Sequence, residues 1–197
     1  MSIFITINGP LGVGKTWTVN QLKAYFGPAG VGFTDVNFQE PIRLLAYQLL
    51  DLPLTVPYDL MKATKYMGFT GREWIIKISE SMKEMVPTIW VDKSLARIDR
   101  LSDIPLDPDR TKQMVFVADS QGFEVELYPI QGWGMKEGNH WIPIGIEPPE
   151  LRHRRGAKWQ DDDSRFNLCH MLPPSNVVTD SNEAYWLLKD KLQRLGM

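Results

Sequence analysis

One short stretch near the start of the chain limits the fold more than any other. Residues 9–16 match the pattern G-x-x-x-x-G-K-[ST], which is known as the phosphate loop. The apolar, β-branched run at 3–7 precedes it, as expected of a strand buried on both faces of a parallel sheet. Val19, Leu22 and Phe26 follow it at helical spacing. A strand, a glycine-rich loop and a helix in this order are the context in which the pattern binds a polyphosphate.

The residue types of this loop predict a role for each position. Gly9 opens the loop, and its glycines let the backbone aim N–H groups inward. Pro10 has no N–H, so we expect the donors to come from the later residues, namely Gly12, Val13, Gly14, Lys15 and Thr16. Lys15 would reach the outer phosphates, and the hydroxyl of Thr16 would ligate Mg²⁺. The alternative is a glycine-rich turn with a chance Lys-Thr pair.

Length, charge and cysteine content narrow the class of protein. The 197 residues allow one domain spanning 1–197, in which 43% hydrophobic and 23% charged residues are ordinary for a globular chain. No apolar run is long enough to cross a bilayer, and no export signal begins the chain, so we expect a cytoplasmic protein without membrane association. The single cysteine, Cys169, fits a reducing compartment. A net charge of −2 gives no electrostatic field suited to binding nucleic acid. The sequence is compatible with a homodimer.

Five apolar segments indicate strands, at 3–7, 31–35, 113–118, 141–146 and 175–179. Because helical patterns separate them, we predict an α/β fold of three layers, with a mainly parallel five-stranded sheet and helices on both faces. Pro143 is expected to compromise its strand, and residues 122–130 favour a helix over a strand. Ligands bind at the carboxyl ends of parallel strands, so this fold brings the phosphate loop, Asp35 and Asp119 to one edge.

Asp119 follows a buried strand, where it is expected to hold Mg²⁺ through water or to accept a hydrogen bond from Thr16. The alternative is an ordinary helix N-cap. The chain has no N-K-x-D guanine-reading motif, and Asp119 is followed by serine instead of a glutamate that could polarise water. A GTPase switch and a motor ATPase are therefore disfavoured, and a kinase that moves a γ-phosphate to a small acceptor is favoured.

Such a kinase needs a cationic lid, since phosphoryl transfer depends on positioning and on charge stabilisation. A late basic stretch within 148–170 is placed to supply it, with Arg152, Arg154, Arg155 and Arg165. The alternative is a solvated loop face, as for most runs of arginine. Arg72 lies two residues after the expected helix N-cap Thr70, where an arginine is well placed to bind a phosphate group. The alternative interpretation is that Arg72 forms a surface ion pair with Glu73 or Glu80.

Several short motifs follow one another along the chain, at 38–43, 59–62, 70–73, 79–80, 90, 117–120 and 163–165. Their order resembles that of the bacteriophage deoxynucleoside monophosphate kinases. The resemblance covers nearly the whole chain and implies a nucleoside monophosphate kinase-like fold with a small lid insert. It implies ATP with Mg²⁺ as donor and a deoxynucleoside 5′-monophosphate as acceptor, bound by a helical region at about 38–102.

The resemblance also implies roles for particular residues. Arg43 and Arg72 would grip the acceptor phosphate, Lys62 and Trp74 would lie near the nucleoside, and Arg165 would be the lid arginine. The leading hypothesis is therefore ATP-dependent phosphorylation of a deoxynucleotide for phage DNA synthesis. The alternatives are a kinase for a modified hydroxymethyl-pyrimidine in DNA, and a nucleotide-binding module without enzymatic activity.

Overall fold

A computed structural model describes residues 1–10, 12–104, 113–118, 126–149 and 169–197 of the chain. Its strands are β1 (Ser2–Asn8), β2 (Val31–Asp35), β3 (Lys65–Tyr66), β4 (Phe69–Thr70), β5 (Gln113–Ala118), β6 (Asn139–Ile146) and β7 (Val177–Val178). Its helices are α1 (Lys15–Phe26), α2 (Glu40–Leu49), α3 (Tyr58–Ala63), α4 (Gly71–Met85), α5 (Ile89–Ser102), α6 (Leu127–Gly134) and α7 (Ser181–Arg194). Short 3₁₀ turns cover 27–29, 169–171 and 174–176.

The main sheet has five parallel strands in the order β2-β5-β1-β6-β7. The α/β class and all five predicted strands are confirmed, with β7 shorter than the segment 175–179. The central position of β1 places the loop that follows it in the middle of the carboxyl edge. The remaining strands, β3 and β4, form a small antiparallel hairpin between α3 and α4.

Pro143 does not interrupt its strand as the sequence suggested. β6 pairs continuously with β1, from Ser2 opposite Asn139 to Asn8 opposite Gly145. On its other side, β6 pairs with β7 at residues 145 and 146. Among the described residues, no strand pairs with Pro143 on that side, and a proline is tolerated where its missing N–H faces no partner strand. The helix favoured within 122–130 is confirmed from Leu127 onward, and residues 122–125 lie outside the described ranges.

Alternation along β1 divides the core into two layers. Ile3, Ile5 and Ile7 pack with buried residues of α1 and α7 on one face of the sheet. Phe4 packs with buried residues of α5 and α6 on the other face. This period of two is the pattern of a strand covered on both sides, so the predicted three layers are present.

A third apolar cluster lies within the helical region that follows β2. Its buried members come from α2, α3, α4 and α5: Ile42, Ala46, Tyr47, Met61, Ile78 and Trp90. The four helices thus have a core of their own beside the carboxyl edge of the sheet. Within the described part of the chain, no helix is both long and apolar enough to span a membrane.

Candidate functional site

The phosphate loop has the backbone conformation that its glycines permit. Gly9, Gly12 and Gly14 have φ angles of +147°, +79° and +93°, a region that other residues rarely adopt. A Cβ atom on Gly9 would lie 2.7 Å from the backbone oxygen of Ile146, at the end of β6. A Cβ atom on Gly14 would lie 2.7 Å from the Cβ atom of Ser181, at the start of α7. Two of the three glycines are therefore required by close contacts as well as by their φ angles.

Lys15 lies across its own loop. Its ammonium group donates hydrogen bonds to the carbonyl oxygens of Gly9, at 2.9 Å, and Pro10, at 2.8 Å. Lys15 is also the first residue of α1, where the backbone N–H groups of the first turn have no intrahelical acceptors. One charged side chain and the positive end of a helix therefore meet at this loop, as binding of a polyphosphate requires.

The start of α7 fixes the far end of the loop. The hydroxyl of Thr18 donates to the carbonyl oxygens of Gly14, at 3.3 Å, and Ser181, at 3.1 Å. Asp180 caps α7 by accepting the backbone N–H groups of residues 182 and 183. An aspartate before a helical pattern is an ordinary N-cap signal, but nothing in the sequence indicates that α7 begins against the phosphate loop.

Asp35 ends β2 at the carboxyl edge, as predicted, but its carboxylate is engaged elsewhere. Both of its oxygens lie 2.9 Å from the ammonium nitrogen of Lys23, on the outer part of α1. Asp35 therefore ties β2 to α1, and we assign it no role in binding nucleotide.

The end of β5 lies beside the end of β1, since Ala118 is paired with Thr6. Asp119 is the next residue along the chain, so its predicted contact with Mg²⁺ or Thr16 stays a prediction. The predicted residues that lie outside the described ranges are Asp119, Arg152, Arg154, Arg155 and Arg165.

A second group of charged residues surrounds the ring of Tyr58, at the start of α3. The guanidinium carbon of Arg43 lies 4.1 Å from the ring centroid, and the ammonium of Lys62 lies 4.6 Å from it. The predicted residues Arg43 and Lys62 are thus brought together by a tyrosine that the sequence analysis did not single out. The available signal was the spacing of Tyr58 and Lys62, four residues apart on one helical face.

Arg43 and Lys62 differ in their other contacts. Lys62 forms an ion pair of 2.8 Å with Asp59, whose pKa is lowered by the hydrogen bond to Lys62 and by its charge. The Nε atom of Arg43 is buried, and no group among the described residues accepts a hydrogen bond from it. Because a buried, unsatisfied donor is unfavourable, Arg43 is the cation of the pair that is better prepared to bind an anion.

Arg72 is exposed in the first turn of α4, directly after a tightly packed glycine. A Cβ atom on Gly71 would lie 2.2 Å from the carbonyl oxygen of Met61, so α3 and α4 touch there. Lys62 follows Met61, and Arg72 follows Gly71; the two cations therefore flank the same contact. The alternative ion pairs of Arg72, with glutamates 73 and 80, are not present among the described residues.

Trp74 has a structural task in the hairpin. Its indole N–H donates to the carbonyl oxygen of Tyr66 at 2.9 Å, and its ring packs edge-to-face against Phe69. Trp74 therefore holds the β3–β4 hairpin against α4, and its position near a nucleoside stays a prediction.

The side chains at the loop fit an Mg²⁺ ion bound together with a nucleotide better than a metal ion held by protein ligands alone. Among the described residues, no group of three or more His, Cys, Asp or Glu side chains is placed to bind a metal. Mg²⁺ keeps several waters and takes few protein ligands when it is bound with a nucleotide. The hydroxyl of Thr16, beside phosphate oxygens, is compatible with that kind of site.

Comparisons with known proteins give matches among solved structures but none among protein families or curated proteins. The fold is similar to that of thymidylate kinase from Ehrlichia chaffeensis, with 15% identity, 98% of each chain covered and a TM-score of 0.39. The assignment of function therefore depends on the residues of this chain.

Proposed function

We propose that the protein transfers the γ-phosphoryl group of ATP to a deoxynucleoside 5′-monophosphate. The observation that supports this most is the phosphate loop, with three glycines of positive φ and the Lys15 ammonium held against the loop carbonyls. A purely structural turn does not need a lysine ammonium placed across its own carbonyls. The cationic group after β2 supports an acceptor that is itself a phosphate.

On the donor side, backbone N–H groups of residues 12–16 would hold the phosphates. The ammonium of Lys15 would exchange its two carbonyl partners for oxygens of the β- and γ-phosphates, where a full negative charge binds it more strongly. Thr16 would hold Mg²⁺ by its hydroxyl. When bound, Mg²⁺ offsets the negative charge of the transferred group.

On the acceptor side, the charges of the three predicted cations and of Asp59 together match one phosphate. Arg43, Lys62 and Arg72 contribute three positive charges and Asp59 one negative charge, so the net charge is 3 − 1 = +2. A phosphate monoester has a charge of about −1.5 to −2 at neutral pH. Because Lys62 is already paired with Asp59, the two arginines are the direct phosphate ligands. The ionised acceptor needs no general base, so binding and orientation are the main tasks of these residues.

The deoxynucleotide and the role in phage DNA synthesis are supported by the resemblance of the sequence motifs. The predicted lid arginines would complete the charge stabilisation when the site closes. We propose that these residues, with Asp119, act on the transferred group as predicted above.

The first test measures ADP release from ATP and Mg²⁺ with each of the four common deoxynucleoside monophosphates. The hydroxymethylated pyrimidine nucleotides are included, together with a reaction without acceptor. Stimulation by at least one monophosphate is expected. Lys15→Ala should lower kcat by about 10²- to 10³-fold, as for loss of one preorganised transition-state donor.

Lys23→Ala is the matched control, because Lys23 is a lysine of the same helix whose ammonium pairs with Asp35. Full activity of Lys15→Ala would contradict the proposal. Phosphorylation of hydroxymethyl-pyrimidines in duplex DNA, and of no free nucleotide, would favour the polymer-directed kinase. ATP binding without any phosphorylated acceptor would favour the non-enzymatic module.

A further inference from the structure

An exposed indole stands directly after the phosphate loop. Trp17 follows Thr16 in the first turn of α1, and 43% of its surface is exposed. Its ring packs edge-to-face with Tyr185 of α7, with the centroids 6.4 Å apart. We propose that Trp17, supported by Tyr185, forms the stacking platform for the base of the donor nucleotide. This inference rests on the donor site of the proposed function.

The position of Trp17 on its helix brings the indole close to the phosphates. Helical side chains lean toward the N-terminus and cover the turn that precedes their own Cα atom. The turn that precedes Trp17 is the phosphate loop itself. This lean directs the indole toward the loop side of α1, where its ring meets Tyr185.

The other wall of this corner comes from α7. The close approach of Gly14 to Ser181 holds the start of α7 against the loop. Tyr185 lies one helical turn after Ser181, and its ring meets Trp17. The corner between α1 and α7 is thus aromatic where it adjoins the loop, and the contact with Tyr185 limits the orientations open to the indole.

The order of strands separates this corner from the acceptor site. α7 follows β7, at one edge of the sheet, and α2 with Arg43 follows β2, at the opposite edge. The loop follows β1, in the centre. In-line transfer requires the γ-phosphate to point toward the acceptor and the donor nucleoside to point away from it. The base of the donor, one ribose beyond the α-phosphate, is therefore directed to the side of Trp17.

The chemistry of the platform predicts its selectivity. Every base has a π-face, so stacking on an aromatic ring tolerates different bases. Purines offer a larger face than pyrimidines, whereas adenine and guanine differ mainly in the edges that hydrogen bonds read. Trp17 should therefore contribute equally to ATP and GTP binding, and less to CTP binding.

The test measures binding by calorimetry in the presence of Mg²⁺, with ATP, GTP, CTP and inorganic tripolyphosphate as ligands. Stacking of one base on an aromatic side chain is worth about 1–3 kcal/mol, equivalent to about 5- to 150-fold in Kd. Trp17→Ala is expected to weaken ATP and GTP about tenfold and CTP less, and to leave tripolyphosphate unchanged. Trp17→Phe should recover most of the affinity.

Trp186→Ala is the matched control, because Trp186 is an exposed indole, 55% accessible, that contacts Tyr185 from α7. It should bind all four ligands as the wild type does. The platform is refuted if Trp17→Ala binds ATP as the wild type does, or if it loses affinity for tripolyphosphate to the same extent.

The readout is binding, so it does not depend on which acceptor the enzyme uses. A wild-type protein that binds ATP but phosphorylates no acceptor would contradict the proposed kinase and leave the platform intact. A wild-type protein that binds neither ATP nor tripolyphosphate would overturn both. Wild-type binding of ATP, with no effect of Trp17→Ala, would overturn the platform alone.

Discussion

Replacing Gly14 by alanine tests the contact between the phosphate loop and α7. Gly14 has a φ of +93°, and its added methyl group would meet the Cβ and Oγ atoms of Ser181 at 2.7 and 2.8 Å. The left-handed conformation costs a non-glycine residue about 1–2 kcal/mol. Inserting a methyl group into a filled contact costs about 1–3 kcal/mol more. We therefore expect Gly14→Ala to lower the free energy of unfolding by about 2–5 kcal/mol.

Two further variants separate these two contributions. Gly12 has a φ of +79°, and no atom of the described residues lies within 4 Å of an added Cβ, so Gly12→Ala should show only the conformational cost, about 1–2 kcal/mol. Ser181→Gly removes both atoms that the methyl group added at position 14 would meet. In the double variant Gly14→Ala with Ser181→Gly, about 1–3 kcal/mol should be recovered relative to the sum of the single effects.

The assay is urea unfolding followed by far-ultraviolet circular dichroism, with and without ATP and Mg²⁺. A domain whose unfolding free energy is about 10 kcal/mol, the middle of the ordinary range, stays folded after a loss of about 5 kcal/mol, so each variant can be measured. Equal destabilisation by Gly12→Ala and Gly14→Ala would refute the steric argument. So would additivity of Gly14→Ala and Ser181→Gly, because additive effects mean that the two residues do not interact.

Two other variants examine the acceptor region. Tyr58→Ala removes the ring beside Arg43 and Lys62, where each cation–ring contact is worth about 0.5–2 kcal/mol. KM for the monophosphate should therefore rise about tenfold with a smaller change in kcat, whereas Tyr58→Phe should behave as the wild type. An unchanged KM in Tyr58→Ala would exclude this positioning role. The pKa of Glu73 lies below its ordinary value of 4.5, because the backbone N–H and the hydroxyl of Thr70 donate hydrogen bonds to its carboxylate. A carboxyl whose pKa is lower in the folded state stabilises the protein above its unfolded pKa and loses this effect as the pH falls through the folded value. Urea titrations should therefore show Glu73→Gln less stable than the wild type near pH 7, with a difference that shrinks below about pH 4.5. A difference independent of pH would contradict this assignment.

Local sequence patterns were sufficient to predict most elements of the fold. The alternation along β1, the helical spacing in α1 and the capping box of Thr70 with Glu73 all depend on residues within a few positions of one another. Thr70 is the N-cap of α4, as predicted, and its backbone N–H donates to the Glu73 carboxylate at 2.6 Å. Pro143 was misleading, because the tolerance of a proline depends on how far the neighbouring strand extends, which its own segment does not encode.

The residues of the candidate site were identified partly from the sequence and partly from the tertiary structure. The motif identified the loop, and the resemblance identified Arg43, Lys62 and Arg72. Packing then determined which of these cations are paired: Lys62 is bound to Asp59, whereas the Nε of Arg43 is buried beside Tyr58. Asp35 showed the converse, since its place at the carboxyl edge was foreseen but its partner, Lys23, was not.

The phosphate loop, the succession of strands and helices, and the caps of α4 and α7 could be predicted from the amino-acid sequence, because local periodicity and hydrogen bonding specify them. The packing of α7 against the loop through Ser181 could not, and neither could the contact of Trp17 with Tyr185, 168 residues later in the chain. Contacts between residues so distant in sequence depend on how completed elements pack on the sheet. That packing places the pair of Trp17 and Tyr185 where α1 meets α7, whereas α2 with Arg43 follows the strand at the opposite edge of the sheet from β7.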